Sequence, residues 1–214
     1  MQEEAVRRVR PNGVYFEQTL YYALDFLLHA RLQASRDGID VPSDFDQILS
    51  KMLAFVQAVS QVGPPDGFGD DDGGRVFDFA RNHANHMTNP FALGAALFQE
   101  EGLRYRGTVT EEAIWLFGET AVSVAAERPE SSLPAKSQAF PDGGIYVLAN
   151  SEVLPQQAAT DAGPQGTGHC GHGHADALSM RLSFGESSMA GRRGDLRLHR
   201  TGKRPGHLPR NACA

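Results

Sequence analysis

Between Gly168 and Met180 the chain sets histidines, a cysteine and an acid among glycines: Gly168-His169-Cys170-Gly171-His172-Gly173-His174-Ala175-Asp176-Ala177-Leu178-Ser179-Met180. Imidazole and carboxylate so close together are the donors of a metal site or the partners of an acid/base pair. The segment runs on into an alternation in which Leu178, Met180, Leu182 and Phe184 fall on one face and Ser179, Arg181 and Ser183 on the other, the period of a half-buried strand. If the backbone is already extended upstream, His172, His174 and Asp176 continue the even-numbered face and point the same way. The bland alternative is a glycine- and histidine-rich loop leading into a strand.

Other elements have to bring partners to that strand. From Tyr15 to Ala34, Leu20, Leu24, Leu27, Leu28 and the stem of Arg31 recur at helical spacing after the turn Pro11-Asn12-Gly13, and Tyr21, Tyr22, Asp25 and His29 ride on the same helix. A second helix is predicted after Pro42, with Ser43 as N-cap and Asp46 as its acidic capping partner, continuing through Ile48, Met52, Phe55, Val56 and Val59 to Gly63-Pro64-Pro65. The loop Asp66-Gly67-Phe68-Gly69-Asp70-Asp71-Asp72-Gly73-Gly74-Arg75 is not an EF-hand, because Phe68 stands where an oxygen ligand belongs and no closing Glu follows. It is either a plain turn or a cleft lining with Arg75 available to an anion.

Short helices are predicted over 76–86, 90–99 and, behind a Thr110 cap, 111–117. The linker-like Arg128-Pro129-Glu130-Ser131-Ser132-Leu133-Pro134 marks the best domain boundary. Beyond it, Pro141-Asp142-Gly143-Gly144 leads into Ile145-Tyr146-Val147-Leu148, followed by a short segment around Ala158–Asp161 and then the histidine strand, a series that reads as an antiparallel sheet or sandwich. The expected class is α+β, with helices over 1–127, sheet over 128–188 and an aberrant, disordered basic tail over 189–214.

With 214 residues, 41% of them hydrophobic, and no apolar run long enough to span a bilayer, the chain reads as a soluble globular protein of one or two domains. Charged residues occupy the N-terminus where a secretory signal needs an apolar run, so no signal peptide is expected. Cys170 and Cys213 are too few for a disulfide scaffold. The net charge is −6, yet residues 189–214 hold seven Lys/Arg against the single acid Asp195. Such a tail is usually a nucleic-acid arm or solvated chain. Here no nucleic-acid partner is expected, and another origin is described below.

Three blocks resemble the heparinase II/III-like polysaccharide lyases: Tyr15-Phe16-Glu17-Gln18-Thr19-Leu20-Tyr21-Tyr22 with Leu24-Asp25-Phe26; Gly69-Asp70-Asp71-Asp72-Gly73-Gly74-Arg75; and Phe140-Pro141-Asp142-Gly143-Gly144 through Asp161-Ala162-Gly163-Pro164 to Gly171-His172-Gly173-His174-Ala175-Asp176-Ala177-Leu178-Ser179. The resemblance implies a partial (α/α) helical toroid followed by antiparallel β-sheet layers. It also implies cleavage of uronate-containing glycans by β-elimination, an acidic polysaccharide substrate and a periplasmic or secreted location. Tyr22 is then the candidate catalytic tyrosine, with Tyr21 second, and His172 the candidate catalytic histidine. Gln18 and Arg75 become candidate substrate contacts, and His174 a ligand of a structural zinc, with Asp176 orienting a ring nitrogen. The alternative for the tyrosines is an aromatic pair capping a helix core.

The family also places an Asn or His upstream of the tyrosine block to neutralise the substrate carboxylate, and Asn12 does not match that motif. The first half of the toroid is expected to be missing. The tail is expected to be a frameshift product: back-translated from Met189 and read one nucleotide later, it can give WLVDAGTFVYTG and then PESDRDTFRGTRAH, which resembles the family's continuation and would carry the other two zinc ligands, an Asp and a closing His. His174 alone is an incomplete tetrahedral site. Two competing readings stand beside the lyase. One is a metallo-β-lactamase-like hydrolase, from His172-Gly173-His174-Ala175-Asp176, although Ala177 stands where a further histidine belongs; the other is a non-catalytic carbohydrate-binding remnant.

Overall fold

The computed structural model describes residues 3, 7–17, 19–62, 89–98, 110–126, 134–150, 156–161, 179–184, 187–192 and 195–200. Helix α1 (Tyr22–Arg36) buries Leu24, Leu27, Leu28 and Leu32 along one stripe and closes before Gly38, whose φ of +67° suits the left-handed turn that stops a helix. Helix α2 (Ser43–Val59) buries Phe45, Leu49, Met52, Leu53, Phe55, Val56 and Val59 against it.

The start of α2 departs from expectation. Pro42 is the N-cap, and no side chain caps the end. Asp46 does not reach back to the helix start but takes both guanidinium arms of Arg31, at 2.6 and 3.0 Å. A bidentate charge-assisted pair outweighs a local capping bond, and it ties α2 to α1.

Helix α3 (Asn89–Phe98) puts Phe91, Leu93 and Ala95 into the same core. Helix α4 (Glu111–Phe117) starts where the sequence places it, with the Thr110 side chain accepting the Ala113 N–H at 3.1 Å. It ends at Gly118, with φ at +57°, and α5 (Glu119–Ala126) follows at once, a helix the sequence reading left out. The expected helix over 76–86 lies outside the described residues.

The sheet is an antiparallel meander of β1 (Gln138–Phe140), β2 (Ile145–Asn150), β3 (Gln156–Asp161), β4 (Ser179–Phe184), β5 (Ser187–Arg192) and β6 (Asp195–Arg200), each strand paired with the next in sequence. A 3₁₀ turn, Pro141–Gly143, joins the first two. Gly143 is needed there: a Cβ at that position would lie 2.6 Å from the Val14 side chain. Helices and sheet share one core, in which the rings of Phe55 and Phe140 meet edge-on at 4.9 Å and Ile145 and Val147 are buried. The side-chain amide of Gln61, just past α2, donates to the Lys136 carbonyl at 2.9 Å and accepts the Lys136 N–H at 2.6 Å. Mixed helices and antiparallel strands make the class α+β.

The register decides which face of β4 is covered. Ile145 pairs through Asp161 to Ser179, and Val147 through Ala159 to Arg181, whereas Tyr146 pairs through Thr160 to Met180. Because Ile145 and Val147 face the helices, Ser179 and Ser183 are buried and Met180 is 43% exposed. The apolar residues of β4 therefore do not mark its inward face, as period-two reading alone would have it. Pairing also continues past Ser188, through β5 and β6, into the stretch for which disorder is expected. Leu196 and Leu198 alternate there, a strand pattern that the surrounding arginines hide. Residues 201–214 lie outside the described residues.

Candidate functional site

The tyrosine block is held by the turn before it. Arg10 N–H bonds the Val14 carbonyl at 2.9 Å, Gly13 N–H bonds the Arg10 carbonyl at 2.8 Å, and Val9 bridges to Tyr15. Gly13 adopts φ of +89°, and a Cβ on it would sit 2.2 Å from the Lys51 carbonyl oxygen, so this turn is seated directly on the backbone of α2. Asn12 serves the turn itself, its side-chain oxygen accepting the Val14 N–H at 3.4 Å.

That anchor fixes two tyrosines in different surroundings. Tyr21 precedes the first turn of α1 and is only 2% exposed, facing the core. Tyr22 is half-buried; its ring stands edge-on to Tyr15 at 6.0 Å, and its hydroxyl donates to the Glu17 carboxylate. Phe16 packs edge-on against Tyr15 on one side and takes the Arg8 guanidinium over its ring at 5.4 Å. Of the two hydroxyls, the one on Tyr22 has the better access to a substrate. Gln18, Arg75, His172, His174 and Asp176 lie outside the described residues.

A second cluster was only half legible in the sequence. Asp25 and His29 sit one turn apart on α1, and Glu112 reaches them from α4; all three are buried. The His29 Nδ1 lies 2.8 Å from the Asp25 backbone carbonyl and 3.4 Å from its carboxylate, while Nε2 lies 2.9 Å from Glu112 Oε1. Burial pulls the His29 pKa down, but hydrogen bonds to Glu112 and to the Asp25 backbone, with the charges of both acids, raise it on balance. The i, i+4 spacing of Asp25 and His29 was visible in the sequence. Glu112 was not, since only tertiary packing brings α4 to α1.

Residues 132–191 match the family described as Heparinase II/III-like, C-terminal. The chain also superposes on a solved structure described as a heparinase III gene product, with a TM-score of 0.56 and 22% identity over 88% of this chain. It spans 26% of that protein's length, and at this identity the likeness speaks to the fold. No curated protein matches the chain. The chain thus resembles the heparinase II/III-like family, as its residue blocks imply, and the stretch from residue 132 to residue 191 is similar to that family's C-terminal region. Among the described residues no helix is long and apolar enough to cross a membrane.

Proposed function

We propose that this chain is part of a polysaccharide lyase that cleaves uronate-containing glycans by β-elimination, working on an acidic substrate in the periplasm or outside the cell. The observation that carries the reading is the Tyr22 hydroxyl, half-buried and hydrogen-bonded to Glu17, in a chain whose second half has the heparinase II/III-like match. Elimination needs a group to take the proton beside the uronate carboxylate and one to protonate the departing glycosidic oxygen. Tyr22 fits the second task as a phenol and the first as a phenolate. Glu17 holds its hydroxyl in one orientation, and Tyr21 supports the helix start from inside the core. His172 is the partner in proton transfer; Gln18 and Arg75 bind the anionic sugar.

In this reading α1 to α5 are an arc of a helical toroid and the meander is a layer of the family's sheet domain. A zinc at His174 would be structural and take no part in the proton transfers. One imidazole does not make a tetrahedral site, so no step is routed through the metal.

The test is the unsaturated product, which absorbs in the ultraviolet. An intact homologue given heparan sulfate, alginate and other uronate glycans in turn should release it from one of them. His172→Ala in that homologue should lower kcat with KM little changed. A change confined to KM would make His172 a substrate contact, and no product from any uronate glycan would remove the lyase reading.

A further inference from the structure

We infer that the outer face of the sheet, turned away from the helices, docks onto the same face of a second copy of this chain, the two sheets closing into a β-sandwich dimer; the inference is independent of the lyase reading. Three rungs run across that face. Tyr146 leads through Thr160, Met180 and Gly191 to Leu196, and Leu148 leads through Ala158, Leu182 and Met189 to Leu198. The third rung, from Asn150, ends at Arg200, the one charged residue of the three. Charges sit instead on the alternate rungs, at Asp161, Arg181 and Arg197, on the side of Ile145 and Val147. An antiparallel sheet with one solvated face turns its polar residues outward. Here the pattern is reversed, and Tyr146, Leu148 and Met180 are exposed.

Size and charge single out the partner. Strands β2 to β6 are six residues each, and at a spacing of about 4.8 Å and a rise of about 3.4 Å per residue they make a face of about 500 Å² in plan. Monomeric proteins seldom leave so large an apolar patch in water. Pressed against itself, the face removes about 1,000 Å² in plan and more in accessible area, which meets what a specific interface needs. An acidic glycan or a nucleic acid would require cations, and the rungs offer Arg200 alone, at one corner. Residues 201–214 hold three Lys/Arg and two prolines where a covering strand needs apolar alternation. A copy of the same face brings no acid and no base to the centre of the contact, and a two-fold axis lets identical patches meet and close. Sheets packed in this way lie about 10 Å apart with their strands within about 30° of each other.

The experiment follows the mass of the full chain in solution by sedimentation and light scattering over a dilution series. A dimer that dissociates on dilution is expected. Leu148→Lys/Met180→Lys should weaken it by more than about a hundredfold, since two central apolar contacts give way to like charges facing across the axis. Both positions are exposed in the single chain, so its far-ultraviolet spectrum should stay unchanged. Leu148→Glu/Met180→Glu should weaken the dimer likewise, and an equimolar mixture of the lysine and glutamate chains should pair again, as only a face that meets itself can. Should the charged variants unfold, Leu148→Gln/Met180→Gln should still weaken the dimer by about tenfold or more. A wild-type chain that stays monomeric overturns the proposal, as do open-ended larger assemblies or undiminished pairing in the glutamine variant. Association that survives the lysine pair runs through the edge strand β6 instead, and overturns it too.

Discussion

Tyr21 and Tyr22 are neighbours in sequence and opposites in surroundings. Because α1 begins at Tyr22, a one-residue step around the helix start sends one ring into the core and leaves the other beside Glu17 at the edge. Tyr22→Phe in an intact homologue is expected to abolish elimination with the fold retained, since the hydroxyl and not the ring moves the proton. Tyr21→Phe, which keeps the buried ring, should instead leave turnover in place. Product release at the normal rate by the first variant would take Tyr22 out of the mechanism. The sequence named both residues but could not rank them by geometry, because adjacent positions on an amphipathic helix differ only in which side the packing takes. Asp25 and His29 were likewise visible as residues and invisible as a cluster until Glu112 arrived from another helix.

At the scale of elements, the helix with a side-chain cap was the most legible. Thr110 closes the start of α4 through a contact three residues long, which sequence can see. Asp46 shows the limit, for its local capping bond lost to Arg31 on a different helix. The inward face of β4 was legible only through its partners, because Ile145 and Val147, not the strand's own apolar residues, decide what is covered. The place where helices and sheet meet is Phe140 against Phe55. Phe140→Ala is expected to cost about 3–5 kcal/mol. If the two layers are one cooperative unit, far-ultraviolet and near-ultraviolet signals will lose stability together; a loss confined to the strands would mean the helical layer stands alone.

Across the whole molecule, one ladder of strands runs from β1 into the basic tail. The basic residues of the tail suggested disorder, and β5 and β6 nonetheless extend the ladder to Arg200. We propose that the tail is still the product of a shifted frame, a reading supported by the family match closing at residue 191, three positions past Ser188. Resequencing the gene should find WLVDAGT in the alternative frame; stop codons there, or a different string, would end the idea. The outer face of the sheet leaves Tyr146, Leu148 and Met180 in water, with Leu148 63% exposed. The Gln61 amide offers a reporter on that arrangement. Because it grips both backbone groups of Lys136, one peptide proton in an otherwise exposed segment is tied to the end of α2. Amide hydrogen exchange at Lys136 should therefore be slow, and Gln61→Ala should release it without touching the protected amides of α2. A single proton thus times the parting of the helical layer from the sheet.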